Sequence, residues 1–393
     1  MTAVASSSRT AVDVSVDITE LLSLAVRGLV PMFASERLLY CHRLKKEGQA
    51  LTPEGLSPRY TLITLLGLHE FEKAGGQSPV VVNQVLASLL KNTDWITNIG
   101  DLGLLLWVHS VVLPNQAPGW CSSEDVERAL DHFSDARECR TMELAWLLTG
   151  LAHNLLTQQG AVSGFADLAM RTYRKLEQNQ GRSGCFGHLG RRATLGGLLR
   201  ARIGSFADQV YPIYAMTRLA QACDLREPLD RAVDCAQAIC RVQGSFGEWW
   251  WHYDSAGGRV VRRYPVFSVH QDGMAPMALF AVGEASGHDF GAPIHRGLQW
   301  IAGNNELGED LRDTPTGVIW RSIFPTRKHT MYLDDVLAIA GFSVSTRVSV
   351  PCSILFECRP YHLGWLLYAF APMSRRRFTV RSGTQQAHLR ARS

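Results

Sequence analysis

The sequence has no apolar run approaching the roughly 20 residues that a membrane-spanning helix needs, and its opening stretch, Met1 to Val16, is small and polar. The expectation is a soluble, unexported, cytoplasmic protein with no membrane span. Close cysteine pairs of the CxxC kind are also missing, the nine cysteines standing at 41, 121, 139, 185, 223, 235, 240, 352 and 358. That scatter excludes the spacing of a structural zinc site and reads as buried free thiols, so neither a metal nor any other cofactor is expected. Acidic residues are missing after Pro372, where Arg375, Arg376, Arg377, Arg381, Arg390 and Arg392 stand. The net charge of +4 is a property of this tail, and without those six charges the rest of the chain stands at about −2. A basic stripe on the body is therefore lacking, and no nucleic-acid partner is expected. Residues 1–16 and 373–393 read as disordered ends, the second basic.

What the chain does have is a repeat. Asp208-Gln-Val-Tyr-Pro212 before an apolar run recurs as Asp272-Gly-Met-Ala-Pro276 before another, and Glu143 precedes Leu144 to Leu148 one period upstream. Out of phase with these stand Gln180-Gly-Arg-Ser-Gly184-Cys-Phe186 and Gln243-Gly-Ser-Phe-Gly247-Glu-Trp249, with a worn copy from Asn304 to Gly308. A period of just over 60 residues means stacked units that share a core. Each unit holds a helix apolar all round, such as Met274 to Val282, and an amphipathic one, such as Glu124 to Leu130. Inner helices are expected near 59–73, 99–113, 140–155, 207–222, 270–286 and 361–371. Outer helices are expected near 79–92, 123–136, 163–178, 227–242 and 291–303, with Ile18 to Phe33 as the sixth outer partner closing a ring. The fold class is all-α, an α/α toroid of six hairpins over 17–372, interrupted by an irregular insertion or lid over 314–350 that includes the β-like run Phe342 to Val350.

The glutamine–glycine–aromatic motif at Gln180 to Phe186 and Gln243 to Trp249 resembles the QW-type repeat of the terpenoid cyclase and protein prenyltransferase superfamily. The resemblance covers about a third of the chain and implies the toroid: glutamine at the end of an outer helix, glycine turning the chain, and the aromatic packed under the next inner helix. Structural roles are expected for Gln180, Gly184, Gln243, Gly247 and Trp249, since glycine leaves a helix cheaply and a large ring buries much area. Isoprenoid chemistry is implied less well. Leu333-Asp334-Asp335-Val336 lacks the first acid of the cyclase DxDD motif, and no zinc set of the prenyltransferase kind stands out.

In a toroid of inner and outer helices the inner ones start at one rim, where their free N–H groups and dipoles converge on a central funnel. Asp101, Glu143, Asp208, Gln209, His270, Gln271, Asp272 and His362 fall at those starts. Asp101 and Glu143 read as helix caps, whereas Asp208 and Asp272 read either as caps or as an acid pair. The densest polar and aromatic stretch is Trp249-Trp250-Trp251-His252-Tyr253-Asp254, followed by Arg262-Arg263 and His270-Gln271-Asp272. Three successive tryptophans point in different directions, so at least one is expected to offer a face to a ligand. Asp272, Asp208, His270 and Tyr253 are the catalytic candidates. Trp249, Trp250, Trp251, His252, Arg202, Arg263, Tyr211, Tyr361 and His362 are the substrate-binding candidates. Cys358 and His362 have a metal-like spacing that Pro360 spoils. The six-hairpin form of this toroid carries glycoside hydrolases, polysaccharide lyases and sugar epimerases, whose needs are stacking aromatics with an Asp/Glu or His/Tyr pair. The reading is therefore a carbohydrate-active enzyme on a poly- or oligosaccharide that includes uronates among its candidates. An isoprenoid-converting enzyme and a non-catalytic binding scaffold are the alternatives. The oligomeric state is not legible.

Overall fold

The computed structural model describes residues 16–135, 140–157, 161–189, 201–326 and 351–374. Among these, twelve α-helices follow one another: α1 (Ile18–Leu29), α2 (Pro58–Lys73), α3 (Val82–Lys91), α4 (Ile99–Val112), α5 (Ser123–Asp135), α6 (Thr141–Leu155), α7 (Phe165–Glu177), α8 (Ala207–Cys223), α9 (Arg226–Arg241), α10 (Ala275–Ser286), α11 (Gly291–Ile301) and α12 (Pro360–Ser374). The even-numbered helices pack in sequence, α2 on α4, α4 on α6, and so on to α12, which returns to α2. They are apolar around most of their circumference, as in α4, where Ile99 through Ser110 are all buried. An element covered on both sides can carry such a sequence. The odd-numbered helices bury one face only; α9, for example, buries Leu229, Ala232, Val233, Ala236 and Ile239. The result is a closed α/α toroid, with α1 packed against α12 as the sixth outer helix. All twelve helices lie within a few residues of the positions expected from the repeat.

Local chemistry fixes where the inner helices start. Ser57 caps α2 by accepting from the Tyr60 N–H at 3.2 Å, with Pro58 in the first turn. Asn98 does the same for α4 through the Asp101 N–H at 3.0 Å. Just before α10 the backbone makes a π turn, His270–Met274, closed by the Ala275 N–H on the His270 carbonyl.

The axis is not a pore. Trp107 lies 5.1 Å from Tyr214, 5.4 Å from Trp365 and 5.7 Å from Tyr368, centre to centre. Trp146 and Trp365 flank Tyr211 at 5.2 and 5.9 Å. Rings from α4, α6, α8 and α12 thus fill the axis of the barrel.

Short strands, absent from the expected pattern, gather where the inner helices begin. They are β1 (Phe33–Ala34), β2 (Leu39–Glu47), β3 (Ala50–Leu56), β4 (Ile203–Ser205), β5 (His252–Asp254), β6 (Val260–Arg262), β7 (Val266–Phe267), β8 (Arg312–Asp313), β9 (Val318–Ile319), β10 (Ser322–Pro325), β11 (Cys352–Leu355) and β12 (Glu357–Cys358). β2 pairs with β1, β3 and β12; β5 joins β4 to β6; β10 joins β7 to β11. Strands β3, β4, β7 and β12 lead within a few residues into α2, α8, the π turn and α12, so the sheets frame the same rim. Within the expected insertion, β9 and β10 are described, while Phe342 to Val350 and the acid pair Asp334 and Asp335 lie outside the described residues. So do Cys139 and the chain ends at 1–15 and 375–393; α12 itself runs to Ser374, past the expected boundary at 372.

Candidate functional site

Helices α4 and α6 approach so closely that a methyl group on Gly103 would lie 2.3 Å from the Leu147 Cα. This contact sets their first turns side by side, Asp101 next to Glu143. The Asp101 carboxylate is buried and fully occupied: it accepts from Thr97 Oγ1 at 3.1 Å, Asn98 Nδ2 at 3.0 Å and Arg59 Nε at 2.7 Å. Its work is to cap α4 and to hold Arg59, whose guanidinium carbon lies 5.7 Å from the Trp146 ring centre. Among the described residues, Glu143 has no such saturation. Its side chain is 12% exposed and its ion pair to Arg140 is long at 3.5 Å. Burial raises its pKa above the ordinary glutamate range, an effect that Arg140, Arg59 and His188 oppose.

His188 bridges the heads of α6 and α8. Its carbonyl accepts from the Thr141 N–H at 3.0 Å, and its Nδ1 meets Asp208 Oδ2 at 2.9 Å. Asp208 is wholly buried and also accepts from the Ser205 N–H and Oγ at 2.8 Å, while its own N–H reaches Ser205 Oγ at 3.3 Å. That reciprocal pair is a capping box, so the cap reading holds for Asp208. The same carboxylate faces His188 Nδ1 at 2.9 Å, which fixes the orientation of the ring and leaves its other nitrogen, Nε2, pointing away from Asp208. The His188 side chain is 20% exposed.

Asp272 goes elsewhere. The expected equivalence with Asp208 holds for the rim but not for the position. The structural counterparts are Gln209, which accepts from Phe186 N at 2.7 Å, and Gln271, which accepts from Trp249 N at 3.2 Å. Asp208 precedes its glutamine and Asp272 follows its own; Gln271 stands five residues before Pro276 where Gln209 stands three before Pro212, and the π turn His270–Met274 lies in that longer interval. Asp272 is wholly buried, and His362 Nε2 donates to it at 2.7 and 2.9 Å from the head of α12. Burial raises the Asp272 pKa. Cys358 stands in β12 and His362 in the first turn of α12, which separates them as Pro360 suggests.

The aromatic stretch divides by depth. Trp249 is wholly buried beside Phe206, Trp250 is 7% exposed with its Nε1 on the Val242 carbonyl at 2.9 Å, and Trp251 alone of the three is partly exposed. Trp251 lies 4.8 Å from Phe267 and stacks at 6.0 Å on His270. Buried His270 is pushed down to about 3 and stays neutral. His252 is buried in β5 with its ring 5.2 Å from Trp251. The hydroxyl of wholly buried Tyr253 accepts from the Trp250 N–H at 3.0 Å. Arg202 is tied to Asp254 across the β4–β5 pair, NH2 to Oδ2 2.8 Å, and exposed Arg263 lies 5.1 Å from the Trp250 ring centre. Tyr211 accepts from Trp365 Nε1 at 3.1 Å in the aromatic column, and half-buried Tyr361 meets Tyr60 at 4.5 Å between the heads of α12 and α2.

The structure thus brings Asp208, Tyr211, Tyr361, His362 and Asp272 to one rim, and seats Tyr253 and Trp249 in the hairpin core. Arg59, Tyr60, Trp146 and His188 join that rim without having stood out as functional. Arg59 and Tyr60 carried the same signal as Asp208, since they follow Ser57-Pro58 at the start of an apolar helix. His188 carried none beyond its place two residues after Phe186.

The motif glutamines stand just past the ends of outer helices and are half-buried. Gln180 Nε2 donates to the Gly184 and Arg231 carbonyls at 2.9 and 3.0 Å, and Gln243 Nε2 to the Gly247 and Pro293 carbonyls at 2.9 Å each. Gly184 and Gly247 have φ of +89° and +100°, a turn that side chains other than glycine rarely make.

Among the described residues, no helix is long and apolar enough to cross a membrane. No protein-family model matches the sequence. No curated protein matches it either. Solved structures do match in shape. An unsaturated glucuronyl hydrolase specific for heparin superposes with a TM-score of 0.56 at 11% identity, covering 93% of this chain and 99% of its own. The cellobiose 2-epimerase of Bacillus thermoamylovorans gives 0.58 at 9% identity, covering 91% and 99%. The unsaturated glucuronyl hydrolase of Bacillus sp. GL1, responsible for the degradation of glycosaminoglycan, gives 0.54 at 12%, covering 92% and 96%. At these identities the likeness establishes the fold, the six-hairpin α/α toroid of these enzymes, which the chain shares over nearly its whole length.

Proposed function

We propose that this protein is a carbohydrate-active enzyme of the hydrolase, lyase or epimerase kind, working at the funnel formed by the heads of its inner helices. The observation that carries the reading is Glu143. It is a poorly paired, half-buried carboxyl with a raised pKa beside an arginine, and a histidine whose other nitrogen is fixed by a carboxylate stands on the neighbouring helix head. Hydrolysis, elimination and epimerisation of sugars share one need, a proton given at one atom and taken at another. Protonated Glu143 gives, and His188 takes at Nε2. Arg59, held by Asp101 and backed by buried Trp146, orients the sugar, and half-buried Tyr60 and Tyr361 offer ring surface on which a sugar packs. Asp208 positions His188, and Asp272 positions His362 from beneath the surface. The neighbours' fold supports the substrate class, since the heparin-specific glucuronyl hydrolase and the cellobiose epimerase share it.

A second reading is an isoprenoid substrate, favoured by the aromatic floor of Trp146, Tyr211 and Trp365. A turnover panel separates the two: neutral and uronate-containing oligosaccharides, scored for new reducing ends, unsaturated products and epimers, with an allylic diphosphate alongside. Turnover of a glycan is the expected result. Turnover of the diphosphate alone would transfer the protein to isoprenoid chemistry, and binding without turnover would make it a scaffold.

A further inference from the structure

Beside the funnel, and outside the groups assigned above, lies a cavity of about 530 Å³ with Arg43, Arg262, Arg321 and Arg359 in its wall. Its hub is Glu357, whose side chain is 5% exposed. Arg43 NH1 reaches Glu357 Oε2 at 3.1 Å and Arg359 Nε reaches Oε1 at 2.9 Å, while Arg321 NH1 also meets Oε1. Arg43 has a second partner in Glu54, Nε to Oε2 2.6 Å. Among the described residues, the guanidinium groups of Arg43, Arg321 and Arg359 thus share the carboxylates of Glu357 and Glu54. Each guanidinium carries five N–H donors, and one carboxylate has room for about four hydrogen bonds. The cluster is rich in donors and in positive charge, and like charges held together in a part-buried place repel.

The arrangement is built by the fold. Arg43 sits on β2, and Glu357 on β12 pairs with that strand opposite Lys45. Arg321 is held by its own backbone, donating to the Leu355 carbonyl at 3.3 Å and accepting from the Ser268 N–H at 2.9 Å. Its guanidinium carbon lies 5.1 Å from the Phe267 ring centre, which fixes the plane of the fork. The cavity also adjoins the funnel, because Arg359 NH1 donates to the Tyr60 hydroxyl at 2.7 Å.

We propose that this cavity is an anion subsite that takes a carboxylate or sulfate substituent of a saccharide whose reacting unit lies in the funnel. Planar guanidinium forks match both groups, and Glu357 holds the forks side by side at the cost of only one charge. The proposal rests on the saccharide reading for its biological ligand, but the subsite is testable without it. Glucuronate and inorganic sulfate are titrated separately into the full-length protein and its variants by calorimetry, each at two ionic strengths. The expected result is binding of one or both anions that weakens with salt. It should weaken about 10–100-fold in Arg321→Gln and remain unchanged in Glu143→Gln. Arg321→Lys, which keeps the charge but not the fork, should fall between, and melting curves confirm that each variant is folded. Sulfate binding without glucuronate assigns the site to sulfated sugars, and the converse to uronates. No binding of either anion by the wild-type protein would overturn the subsite, as would binding lost in Glu143→Gln and kept in Arg321→Gln. Glycan turnover reports on the funnel reading separately.

Discussion

Asp101 and Glu143 occupy the first turns of adjacent inner helices, yet their surroundings give them different work. Asp101 accepts from three side chains, and its carboxylate is committed to holding Arg59. Glu143 keeps its proton to a higher pH than an ordinary glutamate, chiefly through burial. If it is the acid, activity is present below its folded pKa and is lost as pH rises through it. In Glu143→Gln that limb disappears together with the turnover, which should drop roughly 10²–10⁴-fold while melting stays near wild type. An unchanged rate would remove Glu143 from the chemistry. A second carboxyl tests linkage away from the funnel. Glu248 lies in the Gln243 loop, raised from 4.5 to about 7 by burial and by neighbouring Glu306. Because the folded pKa is the higher one, the stability it contributes is complete below 4.5 and lost as pH rises through 7. The ceiling on that loss is about 3 kcal/mol. Wild-type melting should therefore fall between pH 5 and pH 8 more steeply than that of Glu248→Gln, in which Phe246 N–H keeps an acceptor; parallel curves would contradict the linkage.

At the scale of elements, the glutamine clamps explain how a repeat with few identical residues keeps its pitch. Each side-chain amide joins the end of one outer helix to a carbonyl of the next, Gln180 to Arg231 and Gln243 to Pro293. Gln243→Ala removes both amide bonds and the Arg296 contact to its Oε1, so a loss of about 1–3 kcal/mol in stability is expected with ligand binding intact. Gly247→Ala should cost more, since a methyl there would lie 2.2 Å from the Arg296 carbonyl oxygen at a φ of +100°. Unchanged melting with abolished binding would make Gln243 a ligand group instead. The helices were legible because their signals are local: apolar period, proline in the first turn, glycine after the last. Strands β2 and β12 were not, since β12 has two residues and finds its partner more than 300 positions away, Glu357 opposite Lys45. The site was half legible for the same reason. Asp208, Tyr211, Tyr361 and His362 sit at helix heads that the sequence marks. By contrast, the contrast between Asp101 and Glu143 arises only where α4 meets α6, and the depth of Trp249 and Tyr253 depends on how β5 packs.

On the scale of the whole molecule, ring closure makes the two ends of the described chain interdependent, because α1 packs on α12 and α12 on α2. One cooperative melting transition is expected for the full chain, and two resolved transitions by calorimetry would contradict a single ring. The aromatic column fills the axis, and the proposed function puts the chemistry at the rim. The most direct test of that claim is a crystal structure of Glu143→Gln soaked with an oligosaccharide that the wild-type protein converts. The account predicts a sugar ring lodged among Arg59, Trp146, His188 and Tyr361, with its reacting bond within hydrogen-bonding reach of residue 143 and of His188 Nε2. A ligand seated away from these residues, with residue 143 out of reach, would contradict it.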